Sequence, residues 1–439
     1  MKAIIQNQLI DSVNKEIPQF IEREIDLFEI PNKAYSIIGM RRTGKTYFLY
    51  QEIVKHLKNG IDRSRLIYLN FEDERLIDID IKDMHWIIDE YFVLYPENRS
   101  DKVFFFLDEI QLIDKWEVFV RRIMDSENVQ VYLSGSSAKM LSREIATSMR
   151  GRATETIVYP FSFREFLKFN NIEIPKSYSQ IDKNMRSLLE NQFIKYLTIG
   201  GFPEAQYLKI QERYLLLQSY VNTVVFRDIV ERYRVGNIAV LKQLIKHLIR
   251  NCAGKFTVNK FYNNLKSNGI KVSKTTLHEY LEYIQDAFLI KNIFVYSQSD
   301  RKRMVNPVKT YVIDTGLASS FSLSREPNTG NLLENCIFIE LSRRKASVAY
   351  FITKSGYEID FIATYYNKRI DAIQVSADIS DKKTLERECR ALYEAKSISP
   401  DVNLVLINMS QEKYIKYSNC DIHVIPAWKW LLFSSEGFG

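Results

Sequence analysis

The chain has 439 residues, room for roughly three domains at about 150 residues each. Its 46% hydrophobic and 26% charged residues are the balance of a globular protein able to bury a core, and glycine (15) with proline (10) makes up about 6% of it, half the usual share. Collagen-like, low-complexity and long-linker character are excluded, and the formal net charge of +7 is too modest to define a partner by itself.

No run approaches the ~18 consecutive apolar residues of a spanning helix. The start, Met1 to Gln8, turns polar too soon for a secretory signal, so a cytoplasmic location is expected. Cys252, Cys336, Cys389 and Cys420 are too far apart for a CxxC clip and are expected as buried apolar residues. His56, His85, His247, His278 and His423 fall in no HExxH or HxH spacing, which speaks against a histidine-held metal or a Ser-His-Asp hydrolase.

The first 200 residues alternate strand and helix signals, the pattern of a parallel α/β sheet preceded by an N-terminal helix. Ala34–Ile38 is a short apolar run followed by a helix from Lys45 to about His56. Between them lies Gly39-Met40-Arg41-Arg42-Thr43-Gly44-Lys45-Thr46, which fits GxxxxGK[ST] at every fixed position. Such a loop turns its backbone N–H groups around a phosphate where side chains would block the approach, and the following helix adds its positive N-terminal dipole. Lys45 is expected on the β- and γ-phosphates and the Thr46 hydroxyl on Mg²⁺, so the cofactors read from this loop are ATP and Mg²⁺.

Leu66–Phe71 reads as a second strand and Met84–Leu94 as a helix. Val103–Leu107 is a fully apolar strand that delivers Asp108 and Glu109 to the C-terminal edge of the sheet, where ligands of open α/β sheets bind. Asp108 is expected to hold Mg²⁺ and Glu109 to activate the attacking water. No NKxD-type tetrad stands at a suitable place, which disfavours GTP. After the helix Trp116–Met124, the strand Val129–Ser134 ends in Gly135-Ser136-Ser137; Ser136 is a candidate γ-phosphate sensor, or else ordinary turn chemistry. Arg150 and Arg152 flank Gly151 before another strand and are candidate transition-state cations, in cis or toward a neighbouring subunit.

From Phe161 to about Arg250 the pattern is helical. The segment Lys255–Lys309 carries ten Lys/Arg against four Asp/Glu, almost the whole net charge of the chain. Its order is helix (Val258–Ser267), turn, a second helix capped by Ser273, then two strands flanking Arg301-Lys302-Arg303 at an expected hairpin tip. Helix, turn, helix and basic-tipped hairpin is how a winged helix meets DNA, with Lys271, Lys274, Arg301, Lys302 and Arg303 as candidate contacts. Beyond residue 330, Glu334 lies on a helix, Glu358 and Asp360 share one face of a strand, and Gln374 and Ser376 share a face of the next. This layout looks like the PD-(D/E)xK nuclease core, but Gln374-Val375-Ser376 stands where (D/E)xK belongs, so the site is expected to be degenerate unless Lys368 or Arg369 substitutes for the lysine.

The phosphate loop, together with Tyr68–Asp73, Leu107–Gln111, Leu133–Ser137, Gly151-Arg152, Tyr159–Phe163, Gly200-Gly201-Phe202-Pro203-Glu204-Ala205, Phe226–Ile229 and Tyr311–Leu317, resembles the prokaryotic AAA-type ATPases that carry a C-terminal domain of unknown function. The resemblance covers nearly the whole chain. It implies a P-loop ATPase core, a winged-helix module and a nuclease-like C-terminal domain. The expected segments are therefore an ATPase domain at 1–160, a helical connector at 161–237, a winged helix at 238–320 and a restriction-endonuclease-like α/β domain at 321–439. The expected function is Mg-ATP hydrolysis coupled to double-stranded DNA or to a protein partner, with oligomerisation left open and no membrane involved. A non-hydrolysing ATP switch and a metal-dependent nuclease are the alternatives.

Overall fold

The computed structural model describes residues 1–27, 30–136, 149, 151–323 and 328–433. The chain falls into two compact units, Met1–Tyr159 with Asp286–Phe288, and Pro160–Gln285 with Leu289–Gly439. Apart from residues 286–288, the chain after Tyr159 falls in the second unit. Among the described residues no helix is long and apolar enough to cross a membrane.

The first unit contains α1 (Lys2–Asn14), β1 (Ala34–Ile38), α2 (Lys45–Lys58), β2 (Leu66–Asn70), α3 (His85–Leu94), β3 (Val103–Asp108), α4 (Trp116–Ser126), β4 (Val129–Gly135) and β5 (Ala153–Ile157). The five strands form one sheet in the order β2-β3-β4-β1-β5, every neighbouring pair parallel. In space the strand between β1 and β3 is thus β4, and β2 lies at an edge. β1 to β4 are buried along nearly their whole length and largely apolar, as strands of a parallel sheet covered on both faces are. Ile5 and Leu9 of α1 join residues of α3 and α4 in one core cluster, whereas Phe48, Leu49 and Ile53 of α2 join Tyr35, Phe106 and Tyr132 in the other. Phe106 and Tyr132 stack across neighbouring strands at 4.5 Å.

The second unit opens with α5 (Phe163–Phe169), α6 (Lys183–Ile199) and α7 (Ile210–Thr223), which continues into a π-helical turn at Val224–Val230. Ser162 and Glu165 form a reciprocal capping box at the start of α5, the S-x-x-E signature of a helix N-terminus. Then come α8 (Ile238–Arg250), β6 (Gly254–Phe256), α9 (Val258–Ser267), α10 (Lys274–Asp286), β7 (Ile290–Ile293), α11 (Asp300–Val305) and β8 (Val308–Val312), with an antiparallel sheet of order β6-β8-β7. The Ser273 hydroxyl accepts from Thr276 N–H at 2.9 Å, the cap expected for α10. One expectation fails here. Arg301-Lys302-Arg303 does not sit at a tight hairpin tip but inside α11, whose first turn is capped by Ser299.

After α12 (Thr315–Ser320) and α13 (Thr329–Arg343), the strands β9 (Ser347–Ile352), β10 (Glu358–Thr364) and β11 (Ile370–Val375), the helix α14 (Lys382–Glu394), the strands β12 (Asn403–Asn408), β13 (Lys413–Tyr417) and β14 (Cys420–Pro426) and the helix α15 (Ala427–Phe433) complete the unit. They build a mixed six-stranded sheet of order β13-β14-β12-β11-β10-β9. Cys252, Cys336 and Cys389 are buried as expected, and Cys420 is half-buried.

Candidate functional site

Three parallel strands bring their C-terminal ends together, with Ile38 of β1 paired to Gly135 of β4 and Leu107 of β3 paired to Leu133. The glycine loop leaves β1 at this edge. Gly39 has φ +152°, and a Cβ there would overlap the Val158 carbonyl, so only glycine fits. Gly44 has φ +98° and is the residue before α2, so the backbone swings from loop to helix through a conformation other residues avoid. Arg42 also takes a positive φ, +68°. The Thr43 hydroxyl donates to Met40 C=O at 2.9 Å and closes the loop on itself.

Lys45 is buried, and its ammonium reaches the carbonyls of Gly39 and Met40, each at 3.2 Å, and Glu109 Oε1 at 3.6 Å. Thr46 donates its hydroxyl proton to Asp108 Oδ2 at 2.7 Å. Asp108 is 1% exposed and takes two further hydroxyl donors, Tyr68 at 2.7 Å and Ser134. Burial and the adjacent Glu109 charge raise its carboxyl above the ordinary range, while the three hydroxyls pull the other way. The Tyr68 phenol, buried and facing this carboxylate, is raised far above its ordinary value and so stays a proton donor.

Glu109 leaves the strand at φ +55°, a left-handed turn that costs a non-glycine residue of order 1 kcal/mol and is typical of functional sites. Its N–H donates to Ser134 Oγ at 3.0 Å, and Gln111 donates to its Oε2. Ser134 thus touches both acids. Its hydroxyl donates a hydrogen bond to Asp108 and accepts one from the Glu109 backbone.

The donor set fits Mg-ATP. A hydroxyl and a carboxylate oxygen 2.7 Å apart are hard ligands suited to Mg²⁺, and a buried ammonium held by loop carbonyls stands where a phosphate tail would run.

Of the other expected residues, Ser136 follows β4 at this same edge and is buried. Arg41 pairs with Glu72 at 2.9 Å, and Arg42 is exposed. Arg152 is the exception. It precedes Ala153, the residue of β5 that pairs with Ala34 at the start of β1, and its guanidinium is bound to Asp125. A five-residue strand is about 17 Å long, so Arg152 lies at the opposite end of the sheet from the loop and is not part of this protomer's site. Ser137 and Arg150 lie outside the described residues. Tyr68, Ser134, Gln111 and Arg23 were not foreseen; Arg23 ties the loop down by donating to Thr43 C=O at 2.8 Å and Tyr159 C=O at 2.5 Å.

A family described as an AAA domain matches residues 31–167. Two domains of unknown function, DUF8612 and DUF4143, match 190–328 and 329–430. Over 442 residues the chain is 38% identical to an uncharacterized protein of Methanocaldococcus jannaschii, covering 98% of this chain and 96% of that one. The chain belongs to the AAA-type P-loop ATPases with C-terminal domains of unknown function. It is also 30% identical over 398 residues to an uncharacterized protein of Haemophilus influenzae, covering 90% and 93% of the two chains. Among solved structures, it is similar to the Aeropyrum pernix ORC1 protein in complex with DNA, at 14% identity and a TM-score of 0.27 over 74% of this chain and 92% of that one. It is likewise similar to AMPPCP-bound DnaA from Aquifex aeolicus, at 16% identity and a TM-score of 0.25 over 64% and 86% of the chains.

Of the residues expected in the C-terminal carboxylate site of this AAA-type ATPase, Glu334, Glu358, Asp360 and Gln374 lie together. Gln374 Oε1 accepts from Asp360 N–H at 3.3 Å, and Asp360 Oδ2 accepts from Val375 N–H at 3.0 Å. Glu334, Glu358 and Asp360 all face one cation, but it is neither Lys368 nor Arg369. Arg369 pairs with Asp371 at 2.7 Å, and Lys368 occupies a turn at φ +66°. The cation is Lys309, from 2.6 to 3.0 Å from the three carboxylates. Ser376 turns away and donates to Asp378 C=O.

Lys309, counted in the basic block, is therefore buried among carboxylates, and the exposed Lys255 also pairs with Glu358. The five candidate DNA contacts Lys271, Lys274, Arg301, Lys302 and Arg303 are all exposed. The exposed face of α10 mixes Lys274, Thr275 and His278 with Glu279 and Glu282.

Proposed function

We propose that the chain binds Mg-ATP in the loop 39–46, hydrolyses it, and couples that cycle to duplex DNA or a protein partner through its second unit. The observation that carries this reading is the pairing of Thr46 with Asp108 at 2.7 Å directly behind the loop, with Glu109 beside Lys45. Lys45 would bind the β- and γ-phosphates, and Thr46 with Asp108 would hold Mg²⁺, which when bound supplies positive charge to the phosphate oxygens. Glu109 accepts a proton from water at its Oε1, while Gln111 fixes the other oxygen and Ser134 fixes the backbone. Ser136, buried at the same strand edge, is assigned to sensing the γ-phosphate.

For the coupling, support comes from the order helix, strand, helix, helix, strand, helix, strand of α8 to β8, a winged-helix order with the short helix α11 inserted between its last two strands. Further support is the exposed cations of α10 and α11. Contact there would be mainly with phosphates, since α10 carries two acids and no arginine on its exposed face.

Steady-state phosphate release separates hydrolysis from an ATP-gated switch. Glu109→Gln should keep ATP affinity within about twofold and slow release by roughly 10²–10⁴. Equal release by Glu109→Gln and wild type would refute the assigned base. No release by wild type, alone or with DNA, would favour the switch.

A further inference from the structure

β8 is the middle strand of the three-stranded sheet, so its side-chain directions are fixed from both sides. Lys309 in β8 pairs directly with Lys255 in β6. Two like charges facing each other across strands repel unless an anion stands between them. Here it does, because Glu358 takes Lys309 on Oε1 and Lys255 on Oε2.

The Lys309 side chain is only 3% exposed, and its three donors each meet a different carboxylate. Glu334 Oε1 lies at 2.6 Å, Glu358 Oε1 at 2.9 Å and Asp360 Oδ1 at 3.0 Å. Those carboxylates are further engaged. Tyr311 donates to Glu334 Oε1 at 2.7 Å, and Val375 N–H donates to Asp360 Oδ2. Five of the six carboxylate oxygens therefore accept a hydrogen bond from the protein. Burial alone would lower the Lys309 ammonium, but the three carboxylates reverse this and hold it well above its ordinary value.

We propose that the Lys309 ammonium is a built-in cation standing where a divalent ion would bind in this carboxylate cluster. It makes the C-terminal domain a metal-independent module and ties the sheet of β6, β7 and β8 to β10. A divalent ion would need the same oxygens that the lysine occupies, and displacing the lysine from them would leave a buried ammonium unpaired. The same two sheets are joined by backbone as well, through Tyr296 N–H to Tyr350 C=O at 2.6 Å and Tyr350 N–H to Phe294 C=O at 3.1 Å. The cluster thus seals an interface that the backbone already holds.

The test is a Mn²⁺ titration of the full chain without nucleotide, with free ion read by electron paramagnetic resonance. Wild type and Asp360→Ala should take up the same amount of ion. Lys309→Met should bind one ion more, and adding Asp360→Ala to it should abolish the gain. An ion bound by wild type and lost in Asp360→Ala would overturn the proposal. So would Mn²⁺-dependent DNA cleavage lost in Asp360→Ala, or a folded Lys309→Met that gains no ion. If Lys309→Met fails to fold, a variant that also carries Glu334→Gln and Asp360→Asn should recover a cooperative melt, because the uncompensated charge is gone. Failure of that charge-balanced variant would contradict the proposal too.

Discussion

Ser134, a small residue at the phosphate-loop edge, touches both acids of the site. Its hydroxyl donates to Asp108 and accepts the N–H of Glu109, so a single rotor sets the direction of both acids. Ser134→Ala removes one partner of each and leaves a buried N–H unsatisfied, which costs about 1–3 kcal/mol locally. Turnover should fall roughly tenfold while ATP affinity changes by less than about twofold, as measured by phosphate release and calorimetry. A matched loss in both would mean that the hydroxyl supports the fold and not the chemistry. The glycine-lysine loop and the acid pair were legible in the sequence because each is a contiguous motif with its own spacing. Tyr68, Ser134 and Arg23 were not, because their partners lie 40, 26 and 20 residues away, and only the sheet order brings them together.

At the scale of elements, the motifs that carried the family resemblance without a chemical role turn out to meet one another. Gly201 C=O accepts from Phe161 N–H at 2.7 Å, and Asp314 accepts from Gly201 N–H at 2.6 Å and Leu317 N–H at 2.9 Å. Burial pushes the Asp314 carboxyl up to about 6, offset in part by those backbone donors. A Cβ on Gly201 would overlap the Phe161 carbonyl, and one on Gly316 would overlap the Ile199 carbonyl. Each glycine is thus a close-approach point between α6, α12 and the start of α5. Gly316→Ala should destabilise the chain by about 1–3 kcal/mol, the usual cost of overpacking. Gly236→Ala, where an added methyl meets nothing within 4 Å, should stay within about 0.5 kcal/mol. Denaturant midpoints of the two variants check this, and equal values would remove the packing explanation.

The positions of β1 to β4 were legible almost to the residue, since buried parallel strands are largely apolar runs, whereas β5, half-buried and rich in Thr and Glu, was expected only as a strand following Arg152. The strand order was not legible, because nothing in the runs says that β4 inserts between β1 and β3. The helix at Arg301–Arg303 was missed for a related reason. A basic tripeptide between two strands reads as a turn, and only the Ser299 cap marks a helix start.

At the scale of the whole molecule, charge counted along the sequence and charge available to a partner differ. Of the ten cations in Lys255–Lys309, Lys255 and Lys309 are neutralised by the carboxylates of the C-terminal sheet. The count alone misleads, because a lysine's partner fifty residues later is invisible to local composition. The candidate contacts Lys271, Lys274, Arg301, Lys302 and Arg303 are exposed, and in the proposed coupling they would meet phosphates. Duplex DNA should raise the ATPase rate at low salt and lose that effect as salt rises. Replacing Arg301, Lys302 and Arg303 by alanine should reduce the salt dependence of binding by about one unit of log slope for each phosphate that is no longer neutralised. A rate unmoved by DNA at both salt concentrations would leave a protein partner as the coupled ligand.

The proposed ATPase cycle rests on a triphosphate lying in the 39–46 loop with its metal between Thr46 and Asp108. Calorimetric titration of ATP with Mg²⁺ into the full chain and into Lys45→Ala tests that most directly. The expected result is one site per chain, weakened at least about tenfold in Lys45→Ala because the phosphates lose a charged hydrogen-bond donor. Undiminished affinity in Lys45→Ala, or no ATP uptake by the wild-type chain, would contradict it.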